Sequence, residues 1–218
     1  MSEKNMLTLY DYYRSSACFR VRIALNLKGL DYQTASIHLT NNGGEQHLDN
    51  YQILNPHKLV PTLQDTDKIM TQSLAIIEYL DECFPEPPLL PNNPFEKCLV
   101  RAFALSIAAD IHPLNNLRVL NYLTNQLHMS DENKTAWYQH WVELGLNALE
   151  KQLMSHQTAG QFCFGDTPSI ADVCLVPQLY NARRFHCDLS HCPTLVRIDA
   201  NCQTHAAFEN ARPIEVSA

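Results

Sequence analysis

Short apolar runs bounded by turn residues open the chain, longer helical periodicities follow, and the change from one to the other divides it. Residues 6–10 read as a short strand, 17–28 as a helix ended by Gly29, and 32–37 as a second strand, which makes a βαβ unit. Residues 62–64 and 68–70 flank Asp65-Thr66-Asp67, a turn signal, so a hairpin follows, and 73–83 is then a helix. The order βαβ then ββα is thioredoxin-like. Between the halves of that unit, Gly43-Gly44 and the polar stretch to Asn50 read as a loop with a short helix.

Residues 84–94 contain five prolines and can continue neither a helix nor a central strand, so they read as a linker. Beyond it the pattern is helical throughout: 95–127, broken or bent at Pro113, then 133–154, 170–182 and 194–203. Ser169 and Asp172 have the spacing of an aspartate variant of the capping box. The expected organisation is therefore an α/β thioredoxin-like domain over 1–84, a proline-rich linker over 85–94 and an all-α domain over 95–218.

At 218 residues and 45% hydrophobic content the chain can bury a substantial core. A formal charge of -7 argues against a general nucleic-acid or anionic-membrane surface, so basic residues must matter locally. Residues 1–10 have no apolar run of signal-peptide length, and no segment reaches the roughly 18 to 20 apolar residues of a membrane span, which points to the cytoplasm. The eight cysteines are scattered in a chain far larger than disulfide-stapled domains, so most are expected to be buried free thiols. His186-Cys187-Asp188-Leu189-Ser190-His191-Cys192 is the one tight cluster of possible ligands. It lacks zinc-knuckle spacing and a second half, so no metal is expected.

The candidate chemistry begins at Arg14-Ser15-Ser16-Ala17-Cys18-Phe19-Arg20-Val21-Arg22, two hydroxyls at the mouth of a helix flanked by three arginines. The first N–H groups of a helix and its dipole favour negative charge, and a serine there either caps the helix or turns its hydroxyl to a ligand. Asn55-Pro56-His57-Lys58-Leu59-Val60-Pro61-Thr62-Leu63 and Thr71-Gln72-Ser73-Leu74-Ala75-Ile76-Ile77-Glu78 follow in the order and spacing of a glutathione-binding thioredoxin-like domain. Together the three segments closely resemble the zeta class of glutathione transferases, to which the maleylacetoacetate isomerases belong.

That resemblance implies glutathione as cofactor and assigns roles to individual residues. Ser15 would hold the glutathione thiolate, with Ser16 as second donor. Lowering a thiol pKa by about two units needs about 2.7 kcal/mol, and a hydrogen bond to a charged group is worth about 1.5 to 3 kcal/mol, so one hydroxyl at a helix N-terminus suffices. The residue before a proline is pushed toward extended geometry, and the resemblance implies a cis Val60-Pro61 bond whose Val60 backbone pairs with the cysteinyl unit. Gln72 and Ser73 would receive the γ-glutamyl carboxylate, and Gln46 would contact the peptide. In the helical half His112 and Asn116 are implied as further glutathione contacts. Arg14, Arg118 and Arg184 are implied as binders of substrate carboxylates. In a straight helix His112 and Arg118 lie roughly 120° apart, so they share a pocket only if Pro113 bends the helix or Arg118 wraps around it.

The implied activity is glutathione-dependent cis-trans isomerisation of maleylacetoacetate to fumarylacetoacetate, by a homodimer. Maleylpyruvate isomerisation, a broader transferase or dehalogenase activity, and a non-enzymatic interaction module are the alternatives. One position departs from the class: its cysteine directly after the two serines is Ala17 here, and the thiol has moved to Cys18. One residue is about 100° of helix, so Cys18 is not expected to face the ligand.

Overall fold

A computed structural model describes residues 6–214, which form two compact units: one comprises the chain up to Pro88 together with the segment from Ala206 on, the other Leu89–His205. The first unit is built on strands β1 (Leu7–Asp11), β2 (Tyr32–Ser36), β3 (Thr62–Asp65) and β4 (Lys68–Thr71), in the order β2-β1-β3-β4. β1 and β2 run parallel, and β3 is antiparallel to both β1 and β4. The parallel pair requires a crossover, supplied by helix α1 (Ser16–Leu27). That helix ends in a Schellman motif: Gly29, at φ 63°, donates to Asn26 C=O and Leu30 donates to Leu25 C=O. Helices α2 (Asp49–Leu54) and α3 (Ser73–Cys83) complete the thioredoxin-like order expected from the pattern.

α1 is buried all round, from Ser16 to Leu25. Its charged residues therefore need internal partners. Arg22 pairs with Asp11 at 2.6 Å, and Lys28 pairs with Asp81 at 2.5 Å and donates to Pro87 C=O. The flanking arginines thus divide: Arg14 is exposed, whereas Arg20 and Arg22 are buried beneath the helix mouth and are not surface anion ligands. A short helix, α10 (Ala206–Glu209), returns from the C-terminal end and packs on α1, so the chain beyond Ala206 belongs with the first unit. No helix is predicted there by the pattern.

The second unit is helical: α4 (Pro94–Leu105), α5 (His112–Leu114), α6 (Leu117–Asn125), α7 (Asp131–His156), α8 (Ile170–Arg184) and α9 (Pro193–Cys202). Residues 84–93 hold no helix or strand, and Pro94 starts α4 at a position that needs no N–H, behind the Asn93 cap. The helical stretch expected over 95–127, broken or bent at Pro113, is four pieces. A π-helical segment, Ser106–Ile111, precedes α5, and the break falls at Asn115-Asn116, two residues past Pro113. Pro113 sits where an N–H is dispensable, and Asn116 turns extended to cap α6. α8 forms the core, with Asp172 Oδ2 accepting from the Ser169 N–H and hydroxyl and Oδ1 from Cys163 N–H.

Candidate active site

In the first unit Ser15 is the N-cap of α1, and its Oγ accepts the Cys18 N–H at 3.2 Å. Capping uses the oxygen only. The hydroxyl proton, which lies within reach of the Cys18 thiol, can be turned to a ligand without giving up the cap. Ser16 is the first residue of the helix and is buried. Arg14 lies over the Tyr13 ring, 5.1 Å from its centroid.

Cys18 is fully buried, and its Sγ accepts the Tyr12 N–H at 3.5 Å. Burial first, then the Asp11 carboxylate, drives its thiol pKa far above the ordinary range. A thiol so placed is neutral and cannot be the attacking thiolate. It serves instead as the centre of a small cluster with Tyr12, Tyr51 and Val60, against which Tyr13 and Leu39 pack. That cluster joins the loop that carries Ser15 to the loop that carries Val60.

The Val60-Pro61 peptide is cis, and among the described residues neither the N–H nor the C=O of Val60 has a hydrogen-bond partner. The segment is held from behind. Tyr51 donates its hydroxyl to Leu59 C=O at 2.7 Å, and Asn55 Nδ2 donates to the same oxygen at 2.7 Å. Burial pushes the Tyr51 phenol up to about 12, which keeps it a donor.

Gln46 is buried on the loop between β2 and α2; its Nε2 lies 3.4 Å from Leu39 C=O and its Oε1 has no partner. Gly44 makes room for it: at φ 100° the backbone favours glycine, and a Cβ there would lie 2.5 Å from Gln46 Nε2. Glu45 pins the same loop, its carboxylate accepting His38 N–H at 2.6 Å. Gln72, at φ 70°, is the N-cap of α3 and makes no side-chain capping bond. Ser73 is the first residue of α3, and its Oγ accepts from Arg20 Nε at 3.0 Å. With that lone pair engaged, the Ser73 hydroxyl is set as a donor beside the α3 N-terminus.

In the second unit the structure brings His112 and Asn116 together, Nε2 and Nδ2 3.4 Å apart. Asn116 Oδ1 accepts the Arg118 N–H at 3.1 Å, which places Arg118 in the first turn of α6 with an exposed side chain. The His112–Asn116 contact spans the helix break at Asn115-Asn116. Arg184 is the last residue of α8 and lies over Phe185, 5.3 Å from the ring centroid. Phe185 stacks on Tyr138 at 3.7 Å and 17°. Neither Arg118 nor Arg184 has a carboxylate partner among the described residues, whereas Arg183 pairs with Asp199 at 2.6 Å. Trp137 and Tyr138, which the sequence reading missed, anchor these parts: Trp137 Nε1 donates to Leu114 C=O. Adjacent aromatics near the start of a long amphipathic helix were the available signal.

The 186–192 loop is explained by packing. Asp188 N–H donates to Glu143, Cys192 Sγ lies 3.4 Å from Asn147 Oδ1, and no group of metal-ligating side chains occurs among the described residues.

A mixed thioredoxin-like sheet with a donor hydroxyl at the α1 mouth, an extended peptide edge at Val60 and an open α3 N-terminus defines a protein that grips a small anionic thiol peptide. Comparison with known proteins agrees. Residues 9–88 match the glutathione S-transferase N-terminal domain model and residues 136–189 the C-terminal domain model. A probable maleylacetoacetate isomerase of Vibrio cholerae is 52% identical over 95% of each chain. The solved holo structure of a maleylpyruvate isomerase, described as a bacterial zeta-class glutathione transferase, is 41% identical with a TM-score of 0.91, covering 94% of this chain and 96% of that one. A maleylacetoacetate isomerase of Methylobacterium extorquens with bound malonate and glutathione is 37% identical with a TM-score of 0.91, covering 94% and 96%. The chain belongs to the glutathione S-transferase family.

Proposed function

We propose that this chain is a glutathione-dependent isomerase that converts maleylacetoacetate to fumarylacetoacetate in the breakdown of tyrosine and phenylalanine. The observation that carries the reading is Ser15: its oxygen caps α1, so its hydroxyl proton can be turned from the buried Cys18 thiol to a thiolate without loss of the cap, in a unit whose Val60 peptide groups have no partner among the described residues. The residues fit glutathione. The unpartnered Gln46 Oε1 suits a peptide N–H, Val60 an added extended segment, and Gln72, Ser73 and the α3 N-terminus a carboxylate.

When bound, glutathione supplies a thiolate nucleophile that is regenerated at the end of the cycle. The chain's own residues do the rest. Ser15 donates to the sulfur and keeps it ionised, with Ser16 behind it. Arg14, Arg118 and Arg184 pair with the carboxylates of the keto diacid and stabilise charge that develops during bond rotation. His112 and Asn116, already paired, are the contacts offered by the helical unit.

Maleylpyruvate, a shorter keto diacid, is the second reading, favoured by the likeness to the holo maleylpyruvate isomerase. Steady-state kinetics on both acids, with and without glutathione, test the function: cis-to-trans conversion that requires glutathione supports it, and absence of turnover on both overturns it. The larger kcat/KM names the substrate.

The protein is further proposed to act as a homodimer in the cytoplasm; eight free cysteines suit a reducing compartment. Sedimentation at micromolar concentration is expected to give twice the 24.8 kDa chain mass.

A further inference from the structure

Arg22 is a buried guanidinium whose three nitrogens reach three separate parts of the first unit. Nη1 donates to Asp11 Oδ1 at 2.6 Å at the end of β1, Nη2 to Tyr13 C=O at 3.1 Å, and Nε to Ala211 C=O at 2.9 Å. Tyr13 lies in the turn that ends at Ser15, closed by Ser15 N–H to Tyr12 C=O at 2.8 Å. Ala211 lies just beyond α10, is fully buried, and belongs to a return segment also tied to α1 by Asn26 Nδ2 donating to Ala207 C=O at 3.0 Å. The ion pair with Asp11 alone would neutralise the charge. The two carbonyl contacts do something else: they fix the Ser15 turn and the C-terminal segment to the same rigid fork.

We infer that Arg22 is a positioning residue for the Ser15 hydroxyl and that the return segment around Ala211 is part of the support of that hydroxyl. This rests on the reading of Ser15 as the donor to the glutathione thiolate. The logic is geometric. A donor that lowers a thiol pKa must be held within hydrogen-bond distance and angle, and Ser15 sits on a turn rather than inside an element. Its neighbour on that turn, Tyr13, is held by Arg22 on the Tyr13 carbonyl. Arg22 in turn is held from its far side by Ala211, 189 residues away in sequence.

The test uses Arg22→Lys in the full-length protein. A lysine can keep the Asp11 pair, but one ammonium cannot span acceptors placed around a planar fork. Thiolate absorbance of bound glutathione titrated against pH is expected to show the thiol pKa raised by about one unit, a tenfold loss of thiolate below it, with kcat falling in parallel and KM for glutathione changing less than about twofold. Phe208→Leu, which loosens the fully buried anchor of α10 and keeps the Arg22 side chain, is expected to shift the same titration in the same direction by less. If Arg22→Lys does not accumulate folded, the double variant Asp11→Asn/Arg22→Gln, free of both buried charges, replaces it with the same outcomes.

An unchanged thiol pKa in a folded Arg22 variant overturns the inference. A shift there with none in a destabilised Phe208→Leu overturns the part assigned to the return segment. Ser15→Ala is measured alongside: if it too leaves the thiol pKa unchanged, the reading of Ser15 has failed, whereas a shift there with none in the Arg22 variant removes only this inference.

Discussion

Replacing Ser15 by alanine is expected to lower turnover by about one to two orders of magnitude, the equivalent of a lost hydrogen bond to charge of about 1.5 to 3 kcal/mol. The pKa of bound glutathione should rise with it, because the hydroxyl that caps α1 through its oxygen is the same group whose proton holds the thiolate. Stability should fall by about 1 kcal/mol, the usual cost of an N-cap serine. Cys18→Ala should give the opposite pattern. Its thiol is neutral and enclosed, so thiolate absorbance of the bound tripeptide stays as in the parent protein. What suffers is the cluster that joins Tyr12 to Val60 and the contact to the Tyr12 N–H, so the melting temperature falls. Thiolate titration and thermal melts on the two variants check both halves. Activity abolished in Cys18→Ala with Ser15→Ala tolerated would make this a thiol-redox protein and sink the assignment.

The elements that local chemistry marks were legible in the sequence, and those that depend on distant partners were not. Gly29 ends α1 because only a left-handed residue closes the Schellman turn, and that need is written at the position itself. The same holds for the prolines between 85 and 91, where there is no helix or strand, and for the start of α3 at Ser73, the residue predicted to open it. Arg20 and Arg22 read as arginines flanking an anion site, and their burial, with partners 53 and 189 residues away, is not visible in that pattern. No local periodicity reveals that a helix is covered on every side. The break between α5 and α6 was masked for a related reason: Pro113 advertises a disturbance, but the residue that ends one helix and caps the next is Asn116, which looks like any polar helix residue. The site residues themselves came from motif resemblance. What the structure adds is the state of the polar atoms: the Ser15 and Ser73 oxygens engaged as acceptors, and, among the described residues, the Val60 peptide groups and Gln46 Oε1 without a partner.

Arg184→Met should cost about 10- to 150-fold in kcat/KM for the keto diacid, the range spanned by losing a charge-assisted pair of about 1.5 to 3 kcal/mol, while glutathione binding stays near the parent value. The contrast with its neighbour carries the argument. Arg183 is committed: Asp199, itself buried, accepts from it at 2.6 Å, so its guanidinium is part of the link between α8 and α9. Arg184, one position on, has no carboxylate among the described residues and rests on an aromatic platform, Phe185 stacked on Tyr138. A guanidinium held over a ring by its face keeps its in-plane N–H donors for a bidentate carboxylate. Arg183→Met is the control, since it strips a buried aspartate of its cation and should lower the melting temperature more than it lowers kcat/KM. Kinetics with the keto diacid and with a neutral electrophile separate the cases. A loss confined to the acid supports carboxylate binding by Arg184, and an equal loss with the neutral electrophile would make the residue a structural one.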